Sequence, residues 1–306
     1  MTIASKQISA ATSMHVTGLR QRRGRDWKEL IFKTLFLTSA IIGVLSLATI
    51  GYFIFREGLP AIQEAGAVNI VTGVDWLPPA LYGIAPMIVA SIASTAGAVI
   101  IGVPVAVLTA IFISEIAPKW LANLIRPAVE LLAGIPSVVY GFFGLVIIVP
   151  LIQNIFNVPA GNTILAGVIV LAVMILPTVI TVSETSLRAV PRTYKEGSFA
   201  LGASHIYTIF KLLVPAARSG IMTGVILGIA RALGETMAII MVMGNAPAMP
   251  GSFLDSARTL TANIALEMSY ASGIHASALY ATGIVLLIFI MMLNGILLYL
   301  NRERAR

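Results

Sequence analysis

Long uncharged apolar runs, separated by short clusters of polar and turn-forming residues, recur along this chain of 306 residues and define its elements. A helix that crosses a bilayer needs ~20 apolar residues to span a ~30 Å hydrocarbon core, and in lipid its backbone polar groups must be satisfied internally. Thr34–Phe55 meets that requirement and predicts a first span. Residues 56–83 then read as a loop, with Arg56, Glu57, Glu64 and Asp75 and the turn-forming Leu77-Pro78-Pro79. A second helix is expected over 84–113, kinked at Pro104, and Glu115–Arg126 reads as a short polar connection carrying Lys119. No charge occurs between Glu130 and Glu184, which is too long for one span. The cluster Gln153, Asn154, Asn157, Pro159, Gly161 and Asn162 divides it into helices at 128–151 and 163–187. A fifth helix is expected over 217–244 and a sixth over 276–300.

Composition agrees with this pattern. The chain is 58% hydrophobic and 11% charged, against soluble averages of about 45–50% and 25%. An all-α integral membrane protein with six transmembrane helices follows. Without cysteine there is neither a disulfide nor a thiolate metal site, and His15, His205 and His275 lie far apart with no ligand spacing. The net charge of +7 does not mark a nucleic-acid face, because the basic residues flank the apolar runs. Of 20 Lys and Arg, 17 fall in 1–33, 119–126, 188–218 and 302–306. The opposite-side loops hold only Arg56 and Arg258, and Arg231 lies within a span. The positive-inside rule therefore predicts both termini and the 188–218 loop in the cytoplasm. The basic stretch 1–30 precedes an apolar run longer than the 7–15 residues of a secretory leader, so an uncleaved first helix is expected. The resulting division is a cytoplasmic tail at 1–30, a peripheral first helix at 31–55, one membrane domain at 84–300 and a tail at 301–306.

Two stretches suggest chemistry. In the 188–218 loop, Pro191 suits the first turn of a short helix, Gly202-Ala203-Ser204 ends it, and Ser204 can cap a second helix that stops before Pro215. Tyr194, Gly197, Ser198 and Leu201 fall on one face of the first helix, where small residues would let another backbone approach. Such a helix is a docking element or a solvated linker. Further on, Arg231 and Glu235 are four residues apart and so share a face of the fifth helix near mid-bilayer. A charge at that depth lines a path or holds a partner. An Arg fork matches tetrahedral oxyanions and a carboxylate can hold the Arg between turnovers, while a structural ion pair between helices uses the same residues. Gly134-Ile135-Pro136-Ser137 should weaken the third helix locally, as a packing kink or as backbone lining a cavity.

These residues carry a resemblance. Glu196, Gly202 six residues on and Pro215 thirteen further resemble the coupling loop of ABC importer permeases, with Gly197 and Ser198 in place of two alanines and Leu212 and Val214 in place of Ile and Leu. Ala-Arg-Ala-Leu-Gly-Glu-Thr-Met at 230–237, Leu-Ala-Gly-Ile-Pro-Ser-Val-Val-Tyr-Gly at 132–141 and Arg-Thr-Leu-Thr-Ala-Asn-Ile-Ala at 258–265 are similar to the phosphate-specific branch, of the PstC type. The resemblance implies a type I ABC importer (MetI-like) permease fold in a bacterial or archaeal cytoplasmic membrane. It also implies a docking loop seated in a cytosolic ATPase and inward transport of inorganic phosphate by alternating access. The implied partners are a second, PstA-like permease, a PstB-like ATPase dimer and an external PstS-like phosphate-binding protein. ATP and Mg would be bound by the ATPase, because this chain has no Gly-rich Lys-Ser/Thr phosphate loop and is expected to bind no cofactor. A permease for sulfate or molybdate, or a proton-coupled anion carrier, would use the same Arg and Glu.

Overall fold

The structure, a computed structural model, describes residues 27–303, so the tail residues 1–26 and 304–306 lie outside it. The chain is mostly helical. It divides into two units, one ending at Phe53 and the other beginning at Ile54. The described part of the first unit is helix throughout. Its Thr34, Thr38 and Thr49 hydroxyls donate to carbonyls three or four residues back, at 2.8–2.9 Å, which satisfies them without water.

That helix, α1 (Trp27–Ala65), continues past Phe55 through Arg56, Glu57, Pro60 and Glu64. The expected 56–83 loop is thus partly helical, because charges that end an apolar run leave the hydrogen-bond ladder intact. A short α2 (Ala67–Thr72) follows, then a two-stranded hairpin, β1 (Trp76–Leu77) and β2 (Leu81–Tyr82), with Trp76 opposite Tyr82.

The packing of the second unit centres on α3 (Ala85–Ile111) and α7 (Ile164–Arg188). On α3, Ala90, Ser94, Ala98, Gly102, Ala106 and Ala110 recur every fourth residue, and all are buried. This stripe of small side chains permits close approach of the two helices, the usual basis of helix association in lipid. A Cβ on Gly102 would meet the Ala172 carbonyl and Ile175 of α7 at about 2.9 Å. Pro104, where the sequence suggested a kink, lies inside α3.

Three five-residue π-helical segments occur among the described residues: Phe112–Ile116, Gly144–Ile148 and Ile209–Leu213. Each ends two residues before a proline, namely Pro118, Pro150 and Pro215. A proline lacks the N–H for the carbonyl four residues back and its ring crowds that carbonyl, and a widened turn ahead of it relieves both. The short helix expected to stop before Pro215 therefore continues. α9 (His205–Thr208) passes through the third π segment into α10 (Val214–Ala216) and then bends by 69° into α11 (Arg218–Gly234).

Further expectations need correcting. The polar connection at 115–126 is largely part of an amphipathic helix, α4 (Lys119–Gly134). The third span is not 128–151: the chain breaks after Gly134 and resumes as α5 (Ser137–Phe143), which continues through the second π segment into α6 (Val149–Phe156). The fifth, expected as one helix over 217–244, is α11 followed after a break by α12 (Met237–Val242). Between 245 and 275 lies α13 (Leu260–Glu267), and α14 (Ile274–Glu303) ends the described chain. Among the described residues, five helices are long and apolar enough to cross a membrane, and a sixth is obtained when the bent pair His205–Ala216 and Arg218–Gly234 is taken as one span.

Candidate functional site

Two helix breaks lead into segments that pack together. At the first, Ile135 and Pro136 are extended, with ψ near 126° and 142°. In a continuous helix the N–H of residue 136 would bond the Leu132 carbonyl, and proline has none. That carbonyl accepts instead from the Ile135 amide at 3.3 Å and from the Tyr140 hydroxyl at 2.7 Å. Gly134, Pro136 and Ser137 thus sit at a true interruption, and Pro136 is its cause.

At the second break Gly234 ends α11 and Glu235 is extended, with ψ near 130°. The Glu235 carboxylate accepts from the Ala238 amide at 3.1 Å, in the first turn of α12, where unpaired N–H groups and the helix dipole favour negative charge. The Glu235 carbonyl accepts from the Thr261 hydroxyl at 2.9 Å. Arg231 and Glu235 therefore do not share a helix face, because the backbone turns between them. Half-buried Arg231 makes no hydrogen bond or ion pair among the described residues, although its charge reaches the Tyr140 phenol.

The segments after the breaks pack together. A Cβ on Gly141 of α5 would fall 2.8 Å from the Ala238 Cα of α12, so glycine is what allows this contact. Tyr140, Arg231, Glu235 and Thr261 thereby gather around one irregular stretch of backbone. Backbone of this kind within a membrane is buried in protein or lines a cavity.

Arg258, quoted in the sequence as part of a motif, is held elsewhere. It donates to the Asn245 carbonyl at 2.9 Å, Asn263 at 3.0 Å and Glu267 at 2.5 Å. Glu267 also accepts from the Trp76 indole at 2.9 Å and meets His275 at 2.8 Å. Burial pushes the Glu267 carboxyl up, but the hydrogen bonds from Trp76, His275 and Arg258, with the Arg258 charge, outweigh it and hold the group below the usual carboxylate range. This cluster clamps the 245–275 segment to the hairpin and α14. Sequence spacing gave no sign of it, since Trp76 lies 191 residues from Glu267.

The predicted docking loop is a short helix with nothing buried, α8 (Arg192–Ala200). It ends in a glycine turn: Gly202 has φ +82°, its amide bonds the Phe199 carbonyl, and the Ala203 amide bonds that of Ser198. The turn exposes Leu201 by 90%, a cost that folding of this chain alone does not explain. Tyr194, Glu196 and Gly197 are exposed too, as is Pro215. Ser198 is not on that face: its hydroxyl points inward and pairs with Thr208 at 2.9 Å. Lys195 pairs with Glu115, at the end of the first π segment, at 2.7 Å.

Residues 102–306 match the family described as binding-protein-dependent transport system inner membrane component. The chain belongs to this family. The permease is 38% identical over 293 residues to the probable ABC transporter permease protein YqgH of Bacillus subtilis, covering 94% of this chain and 95% of that protein. It is 32% identical over 297 residues to the phosphate transport system permease protein PstC of Haemophilus influenzae, covering 90% and 94%. Among solved structures, an inward-facing MetNI methionine ABC transporter aligns with a TM-score of 0.60 at 16% identity, over 76% of this chain and all of that one. A bacterial alginate ABC transporter aligns at 0.63 and 13% identity, over 91% and 98%. The fold is that of type I ABC importer permeases. Membership makes the permease a multi-pass inner membrane component that works with an ATPase and a substrate-binding protein.

Proposed function

We propose that the permease carries inorganic phosphate into the cytoplasm by alternating access, driven by ATP hydrolysis on a separate ATPase dimer. The observation that carries this reading is its 31–36% identity to several phosphate transport system permease proteins, over most of the chain in each case. The site supports it physically. Arg231 offers a planar fork of donors with no fixed partner among the described residues, beside a break that leaves backbone and hydroxyl groups in reach. Glu235 is engaged at the start of α12, so its role is to fix the break and to set the charge that an anion beside Arg231 experiences.

In this reading α8 is the coupling helix. Tyr194, Glu196, Gly197 and Leu201 form the face presented to the ATPase, Gly202 shapes the turn, and Ser198 and Pro215 hold the loop's own geometry. Both termini are cytoplasmic, residues 84–300 form the permease domain, and the first helix is a peripheral addition. The complex holds a second permease of the PstA type, a PstB-type ATPase dimer with its ATP and Mg, and an external PstS-type phosphate-binding protein.

Uptake of labelled phosphate into proteoliposomes holding the whole complex tests this, with wild type beside Arg231→Gln and Gly202→Asp. Uptake should require ATP, Arg231→Gln should assemble but transport only weakly, and Gly202→Asp should fail to retain the ATPase. Uptake that persists without ATP would replace the importer with a carrier. Preferential uptake of sulfate or molybdate would move the substrate to another oxyanion.

A further inference from the structure

Between α8, the end of α7 and the start of α4 lies a cavity of about 540 Å³. Lys119, Arg188, Arg192 and Lys195 line it, with Glu115 and Glu196 as its acids. The charges do not cancel. Lys195 and Glu115 neutralise each other at 2.7 Å. Arg188 reaches Glu184 only at 3.7 Å, and Arg126 already holds the same Glu184 oxygen at 2.6 Å. Lys119 and Arg192 have no hydrogen bond or ion pair among the described residues. Three cations thus face one exposed carboxylate, Glu196, in a concave pocket. Like charges gathered in this way are stabilised by an anion, and guanidinium and ammonium groups together suit the oxygens of a phosphate.

The depth of the pocket is marked independently. Trp120, next to Lys119, is 70% exposed. A tryptophan left exposed at the end of an apolar span is the side chain expected at headgroup level, and basic pockets between helices on the cytoplasmic side suit anionic headgroups. We propose that this pocket holds a phosphate group, presented either by the headgroup of an anionic phospholipid or by free phosphate on the cytoplasmic side. The cytoplasmic placement rests on the orientation given under the proposed function; occupancy of the pocket does not depend on transport.

The experiment uses the whole complex, in wild type, Lys119→Gln/Arg192→Gln and Arg231→Gln forms. Each is purified after exposure to vesicles of phosphatidylcholine mixed with phosphatidylglycerol. Retained lipid is counted by native mass spectrometry, and inorganic phosphate is titrated calorimetrically into the complex without its binding protein. If the site is a lipid site, wild type and Arg231→Gln retain phosphatidylglycerol over phosphatidylcholine, and the double variant loses that preference severalfold. If it is a free-anion site, the double variant loses a component of the heat of phosphate binding that Arg231→Gln retains. The proposal is overturned if the double variant matches wild type in both the lipid preference and the heat of phosphate binding. None of these outcomes requires transport, so a failed uptake assay and an empty pocket remain separate results.

Discussion

At Gly134–Ser137 the helix stops because Pro136 cannot bond Leu132, and the neutral Tyr140 hydroxyl takes the freed carbonyl. At Gly234–Met237 no proline intervenes; a carboxylate holds the next helix and a hydroxyl from a distant segment, Thr261, holds the interrupted backbone. The first break is written into the covalent chain and is satisfied within eight residues. The second depends on a contact 26 residues away, and it is the one that carries charge. A break maintained by tertiary contacts can respond to movement of those contacts, whereas one imposed by proline is a fixed pivot. We therefore expect the first to act as scaffold and the second to act on substrate.

The largest expected effect separates residues at equivalent places, three before each terminal glycine. Arg231→Gln should lower phosphate uptake roughly 10–100-fold with the complex assembled, equivalent to the ~1.5–3 kcal/mol of a hydrogen bond to a charged group. Leu131→Ala, at the matching place before Gly134, should leave uptake within about twofold, as surface changes away from special features do. Similar losses in both would remove the functional asymmetry between the breaks.

Next comes the contact between the two segments. Gly141→Val drives a side chain against the α12 backbone and should destabilise the complex by about 1–3 kcal/mol, read as a lower melting temperature in detergent. Gly134→Ala meets nothing within 4 Å and should shift it by no more than ~0.5 kcal/mol. Below these in size is the loss of one hydroxyl from each break. Tyr140→Phe and Thr261→Val should each cost about 0.5–1.5 kcal/mol of stability. Only Thr261→Val should also lower uptake. Equal uptake in the two would show that the second break is as passive as the first.

The first break was partly legible in the sequence because proline acts locally: Gly134, Pro136 and Ser137 were read as a weakened point inside one helix, and the chain breaks there outright. The second was not. Arg231 to Met237 contains nothing that must end a helix, and the extended Glu235 is held by Ala238 and Thr261, which only the folded chain brings together. An i, i+4 pair read from spacing assumes a continuous helix, and that assumption failed here. The local shape of the 191–204 segment was legible because its determinants are local: Pro191 at the start, Ser204 as a cap and Gly202 in the one conformation that favours glycine. Ser198 was misassigned because its partner, Thr208, lies beyond the turn. The stripe from Ala90 to Ala110 was present in the sequence at four-residue spacing, but its meaning depends on α7, whose Ala172 carbonyl and Ile175 lie against it.

The smallest effect extends the comparison to a charged cluster outside the spans. Glu267, like Glu235, is a carboxylate at a helix end, but it has Arg258, Trp76 and His275 around it where Glu235 has a backbone amide. Burial raises the Glu267 pKa and its partners lower it, so only the difference appears as pH-dependent stability, and the balance lies below the ordinary carboxylate value. A group depressed in the folded state stabilises above its unfolded pKa and loses that contribution as pH falls through the folded value. Melting temperatures of the wild-type complex should therefore fall on the acid side of the ordinary carboxylate range. Glu267→Gln should lie below wild type at neutral pH and converge with it as the pH drops. Parallel curves, with a constant gap down to acid pH, would show that the clamp holds by packing and neutral hydrogen bonds, and that Arg231 alone carries consequential charge in this half of the permease.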